Sequence, residues 1–369
     1  MKQLNGISIV IVTKGRVKLL EGLLASVQIA RNNFPGESEV ILVDDSNEKD
    51  VIDIDKLCEI YMAKRIYHSP SIPEKRTIGA QTAVYDIILY LDSDCIATPN
   101  LLNEHFKLYS NERIGGVAGL LEFVGKDTWF WNVVNKSPFV ICFSFSKWFN
   151  EVPWATMANC SVRKEVFNLI GGFDKKFPIF GGEDVDFGIR LNKQGFILKC
   201  NKDAIVYHSK ETWIPVNAMI KRLWHYGSAD FYLIDKHSDL TIGALPKKPV
   251  IAMVLLLFSI IMAYKTLWFL LMLPVWAIID TLLTALFAIC FSKENKTTFL
   301  QQIVLQWLII INEMGFIHRC ILKRKPSYVF KDIVTFDPQI SNILKNSAFN
   351  TWSNLTIFVI VFGIAFALL

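Results

Sequence analysis

Two carboxylates, Asp92 and Asp94, end the apolar run Ile87-Ile-Leu-Tyr-Leu91, with Ser93 between them. In an open α/β sheet the carboxyl ends of the strands face the ligand crevice, so the spacing places both acids at its mouth. Paired hard oxygen donors suit Mg²⁺ or Mn²⁺ carrying a diphosphate, because these ions favour carboxylates, water and substrate phosphates. A second acidic cluster, Glu183, Asp184 and Asp186, follows Gly181 and Gly182. Paired glycines permit positive φ and close backbone approach. Glu183 and Asp184 would then open a helix whose dipole stabilises ionised acids. An ionised carboxylate beside an acceptor hydroxyl can take its proton as the oxygen attacks. Asp186 could cap the same helix and pair with Arg190 four residues on. His208 ends the short run Ala204-Ile-Val-Tyr207 and offers an imidazole to the same cation, or serves only as a hydrogen-bonded strand end. Either acidic cluster could also be a plain solvated turn or helix cap.

These groups need strands and helices to hold them. Residues 7–12, 40–43 and 87–91 are short β-branched runs separated by helical patterns, which predicts a βαβα arrangement with a parallel sheet. The second run ends on Val43-Asp44-Asp45-Ser46-Asn47, again acids at a carboxyl end. Residues 73–83 predict a helix with Lys75 and Arg76 in its first turn, and residues 115–124 a further strand. The aromatic span 129–154 has no clean period and reads as loop and short helix.

The composition changes near residue 240. Mean hydropathy is +0.34, and the excess apolar content lies beyond residue 250. Residues 236–249, with Gly243, Pro246 and Pro249, read as a linker between a catalytic domain (1–235) and a membrane region (250–369). A span needs about 20 residues, so residues 250–291 fit a helical hairpin with Lys265 near its turn. Residues 299–317 carry Gln302, Gln306 and Glu313 along one face, which suits an interfacial helix. Residues 355–369, with Trp352 as an anchor, form a last apolar stretch. Three spans plus one interfacial helix keep the basic cluster Arg319, Lys323, Arg324 and Lys325 on the catalytic side; four spans are the alternative. His225, in Arg222-Leu-Trp-His-Tyr-Gly227, has aromatic and basic neighbours that suit either a sugar face or membrane docking. The net charge of +5 gives no case for nucleic acid. Seven cysteines without a CxxC pair suit a reducing compartment, and no signal peptide precedes the first strand. The expectation is a multi-pass protein of the cell membrane with its catalytic domain in the cytosol.

Taken together, Ser8-Ile-Val-Ile-Val-Thr13, Val43-Asp-Asp-Ser-Asn47, Arg76-Thr-Ile-Gly79, Leu91-Asp-Ser-Asp94, Gly171-Gly-Phe-Asp174 and Gly181-Gly-Glu-Asp184 resemble the family 2 glycosyltransferases over residues 7–231. The resemblance implies the α/β GT-A fold and an inverting transfer from a nucleotide-diphosphate sugar to a hydroxyl. It places Asp44 or Asp45 on the nucleoside and Asp92 on the ribose and diphosphate, with Thr13 and Arg76 also near the donor. Asp92, Asp94 and His208 would hold Mn²⁺ or Mg²⁺, Asp94 most directly. Asp184 is the implied base with Glu183 beside it, and Gly181, Gly182, Asp186 and Arg190 fall on the acceptor side. Thr77 stands where the family often has Asn. The QxxRW signature of processive synthases is missing after His208, which implies a non-processive enzyme. The membrane region points to a membrane-proximal, lipid-linked acceptor. The competing readings are a sugar-nucleotide pyrophosphorylase, whose glycine-rich first loop is not seen, and a non-catalytic membrane assembly protein, which would not need intact acids.

Overall fold

The strand Gly6–Thr13 (β1) is buried at every position, as a strand covered on both faces must be. In a computed structural model of the chain it is followed by α1 (Val17–Asn32), β2 (Glu37–Asp44), α2 (Glu48–Ile60), β3 (Ala63–Tyr67), α3 (Ile72–Thr82), β4 (Ile87–Asp92) and β5 (Cys95–Ala97). Next come α4 (Leu101–Phe106), β6 (Ile114–Val124), α5 (Trp129–Val134), β7 (Asn159–Arg163), α6 (Lys164–Leu169), α7 (Glu183–Lys193) and β8 (Ile197–Ser209). The remainder is α8 (Val216–Lys236), β9 (Thr241–Gly243), α9 (Lys248–Met262), α10 (Met272–Phe291), α11 (Phe299–Leu322) and β10 (Lys331–Ile333). The structure describes residues 4–335 apart from 69, 178–179, 266 and 292–297, together with residue 363. The expected apolar stretch 355–369 and Trp352 otherwise lie outside the described residues.

The chain forms two compact units, residues 1–128 with 139–215 and residues 129–138 with 216–369. The first holds an eight-stranded sheet in the order β3-β2-β1-β4-β7-β6-β8-β5. Strands β1 to β4 pair in parallel, as expected. The sheet as a whole is mixed, because β7 runs antiparallel to β4 and β6, and β5 antiparallel to β8. A strand's composition does not encode its partner's direction, so this half was not legible. The edge strand β3 also escapes pattern reading, since Lys64 and Arg65 interrupt its apolar character. The helices begin where their caps require. Asn47 accepts from Asp50 N at 3.0 Å to start α2, and Ser71 accepts from Glu74 N at 3.4 Å to start α3, with Pro73 in its first turn.

The second unit is helical, and α8 belongs to it, so the division falls at residue 216 rather than at 235. The physical reason is a glycine crossing. A Cβ at Gly227 would lie 1.7 Å from Asn312 O, and one at Gly315 would lie 2.2 Å from Trp224 O. Backbones that close pack α8 along α11, and Ser228 Oγ donates to Trp224 O at 2.8 Å. The expected linker is likewise structured, because β9 pairs antiparallel with β10. Helices α9 and α10 pack through Ile251, Leu255, Phe269, Met272 and Trp276, with Lys265 in the turn between them. The polar stripe of α11 differs from the interfacial expectation. Gln302 and Gln306 are buried, Lys248 Nζ donates to Gln306 Oε1 at 3.0 Å, and Lys248 N donates to Glu313 Oε2 at 3.0 Å. That stripe satisfies the start of α9 instead of facing water. Among the described residues two helical stretches, Leu267–Leu286 and Phe299–Leu322, are long and apolar enough to cross a membrane; α9, with 15 residues, is shorter than a span.

Candidate active site

The carboxyl ends of β1, β2 and β4 carry the donor-side residues, all within the first unit. Asp44 is fully buried and already satisfied. Its Oδ1 accepts from Ser46 N at 2.9 Å and Ser46 Oγ at 2.5 Å, and its Oδ2 lies 3.2 Å from Arg65 Nη1. Asp45 is the acid that lines an open cleft, together with Lys14, Gly15, Arg16, Ser46, Asn47 and Asp50. It pairs with Lys14 at 3.2 Å and with the buried Lys75. Lys75 also donates to Thr13 O at 2.9 Å, and Thr13 Oγ1 donates to Gly15 O at 3.3 Å. Burial lowers the Lys75 ammonium, and Asp45 opposes that effect. Thus Thr13 and Lys75 shape the loop after β1, while Asp45 faces the cleft.

The turn after β4 separates its two acids. Asp92, partly exposed, lies 3.3 Å from Arg76 Nη2. Asp94 is buried, with Arg16 Nη1 at 3.1 Å from Oδ2 and His208 Nε2 at 3.2 Å from Oδ1. The pairing of Cys95 with His208 across β5 and β8 fixes this approach, and Ser209 N donates to Asp94 O at 2.9 Å. Donor atoms of Asp94, Cys95 and His208 all lie within 4.8 Å of one another. His208 Nδ1 sits 3.0 Å from Ser209 O, which leaves Nε2 directed at Asp94 Oδ1. A carboxylate oxygen and an imidazole nitrogen 3.2 Å apart are ligand atoms that a divalent cation can share. Phe123, with its ring centroid 5.2 Å from that of His208, packs against the imidazole, and Phe143 and Trp213 lie at 6.3 Å.

The start of α7 differs from the simple helix-cap expectation. Gly181 and Gly182 take φ of 98° and 83°, which accounts for the glycine pair, and Gly182 rather than Asp186 is the cap residue. Asp186 is buried instead. Arg190 grips its Oδ2 through Nε at 2.9 Å, and the same guanidinium donates to Ile170 O at 2.6 Å and Gly172 O at 2.7 Å. These two residues therefore brace the loop at Gly171 and Gly172. Glu183 is buried, accepts from Arg76 Nη1 at 2.6 Å, and leaves its Oε2 without a hydrogen-bond partner. Asp184 is pushed up to about 7, first by desolvation and then by the adjacent Glu183 charge, with Arg76 opposing. Burial outweighs the helix dipole that was expected to favour the ionised form. Arg76, expected near the donor, is buried; its one guanidinium joins Glu183 of α7 to Asp92 of β4. Arg16, Lys75 and Cys95 complete the site without a motif to announce them. The only sequence signal for the first two is a basic residue beside a strand end or helix start.

The mixed sheet with acids at its parallel strand ends is the GT-A fold. Residues 8–173 match the description "Glycosyl transferase family 2", and residues 141–209 match "N-terminal domain of galactosyltransferase". Over residues 8–173 the chain is thus similar to the family 2 glycosyltransferases. An O-antigen biosynthesis protein of Myxococcus xanthus is 27% identical over 55% of this chain and 17% of its own length. A chondroitin synthase of Pasteurella multocida is 24% identical over 56% of this chain and 25% of its own. The chain therefore spans a quarter or less of these relatives. A mannosyltransferase from Pyrobaculum calidifontis, solved with GDP-Man and Mn²⁺, has the same fold. Its TM-score is 0.54, with 15% identity, over 86% of this chain and 88% of that one.

Proposed function

We propose that this protein is an inverting, metal-dependent, non-processive glycosyltransferase that moves a sugar from a nucleotide-diphosphate sugar to a hydroxyl acceptor. The observation that carries the reading is the Asp94–His208 pair, whose clustered ligand atoms suit a divalent cation. Mn²⁺ or Mg²⁺ would be held by Asp94 and His208 with Asp92 nearby, where it would neutralise charge on the departing diphosphate. Asp45 and the loop after β1 take the nucleoside in the cleft that they line. Asp184 accepts the acceptor hydroxyl's proton as that oxygen attacks the anomeric carbon. A carboxylate raised to about 7 holds that proton more readily than an ordinary one. The hydroxyl oxygen bonds to the anomeric carbon while the bond to diphosphate breaks from the opposite face, so that carbon inverts. Arg76 holds Glu183 in place beside Asp184.

The two long apolar helices support a membrane location; the proposal adds a catalytic unit on the cytosolic side and a lipid-linked acceptor. The test is release of nucleoside diphosphate from a panel of nucleotide sugars by detergent-purified protein with Mn²⁺ or Mg²⁺ and polyprenyl phosphate or glycolipid acceptors. Metal-dependent turnover of one donor, lost in Asp94→Ala, is expected. A wild-type protein that binds and turns over none of them contradicts the reading.

A further inference from the structure

The loop between β1 and α1 brings a half-exposed cation onto a buried carboxylate. Gly15 and Arg16 both have positive φ, 62° and 56°. Successive left-handed residues turn the chain sharply, and the turn is pinned by Gly15 N donating to Ser46 Oγ at 2.6 Å. Arg16 thereby points back across the strand ends, and its Nη1 reaches Asp94 Oδ2 at 3.1 Å. The two partners are unlike. The Asp94 side chain is 4% exposed, that of Arg16 48%. Asp94 is held by its turn and by β8, whereas about half of the Arg16 side chain is open to solvent. Arg16 lines the same cleft as Asp45 while its guanidinium reaches Asp94, so the residue links the nucleoside side to the metal side.

We infer that Arg16 is a resident counter-cation for Asp94, displaced when a divalent cation binds, and that the released guanidinium then holds the donor diphosphate. The inference rests on the nucleotide-sugar reading of the site. An isolated buried carboxylate is unfavourable, so a cation on Asp94 stabilises the metal-free protein. A partly exposed pair is weak enough to yield to a metal. Once free, a guanidinium beside the cleft offers forked donors that match phosphate oxygens. The residue thus opposes metal binding alone and favours metal together with nucleotide.

The two roles predict effects of opposite sign, which a merely structural residue does not give. Mn²⁺ binding to nucleotide-free protein is read from loss of the free-ion electron paramagnetic resonance signal, for wild type, Arg16→Gln and Lys14→Gln. Lys14→Gln removes the same charge from the same loop without touching Asp94. Arg16→Gln is expected to bind Mn²⁺ about threefold tighter or better, with Lys14→Gln unchanged. At saturating Mn²⁺, Arg16→Gln should bind UDP or GDP about tenfold more weakly. Unchanged or weaker Mn²⁺ binding in Arg16→Gln, equal tightening in Lys14→Gln, or unaltered nucleotide affinity overturns the inference while leaving the functional reading intact. A wild type that binds neither Mn²⁺ nor nucleotide overturns both.

Discussion

The acids at the end of β2 and those at the start of α7 look alike in sequence, yet the fold treats them differently. Asp44 is consumed by Ser46 and Arg65, and Asp45 is neutralised by Lys14 and Lys75. Glu183 has one cation for two oxygens and keeps a buried oxygen without a partner, while Asp184 sits beside that charge. The histidines repeat the contrast. His105 has Ser161 and Asn159 at 2.9 Å on its two ring nitrogens, and burial lowers it to about 4. His208 instead turns one nitrogen toward a carboxylate. Asp44 and His105, satisfied away from the cleft, hold the scaffold; groups left short of partners, and Asp45 where it lines the cleft, are available for chemistry.

The contrast breaks most visibly at Arg76. Arg76→Ala would strand Glu183 as an uncompensated buried charge, and a loss of about 3–5 kcal/mol of stability is expected from denaturant unfolding. Arg76→Ala combined with Glu183→Gln should recover part of it. An Arg76→Ala protein of wild-type stability would show that α7 does not depend on this pair.

The next effect is on pH. A base must be unprotonated, so kcat/KM should fall about tenfold per unit as pH drops below about 7. Glu183 raises Asp184, so Glu183→Gln should move that acid limb to lower pH. Asp184 carries more proton when folded than when unfolded between the ordinary carboxylate range and about 7, so its contribution to stability weakens as pH rises through that window. A limb that stays in place in Glu183→Gln would mean that the charge is not felt. The smallest effect belongs to the satisfied end. Ser46→Ala removes the hydroxyl that joins Asp44 to Gly15 N and should cost about 1 kcal/mol.

Legibility follows the same division. The strand ends and the glycine pair were readable because a run of apolar residues must stop somewhere and positive φ selects glycine. The pairing of Asp186 with Arg190 was readable from helical spacing. The fate of Arg76 was not, because Glu183 lies 107 residues away along the chain. Nor was Arg16, which depends on a left-handed turn at a non-glycine residue. The choice between Asp44 and Asp45 required the sheet, which turns one inward and leaves the other on the cleft. The inward polar stripe of α11 was misjudged because a helix face in sequence does not say whether water or Lys248 meets it.

The central claim is that Asp184 takes the proton and is not needed to hold the donor. The most direct measurement compares Asp184→Asn with wild type at pH 8, reading sugar transfer and Mn²⁺-dependent nucleoside diphosphate binding on the same preparation. Transfer is expected to fall by about 10²–10⁴-fold with binding unchanged. Transfer at the wild-type rate would contradict it.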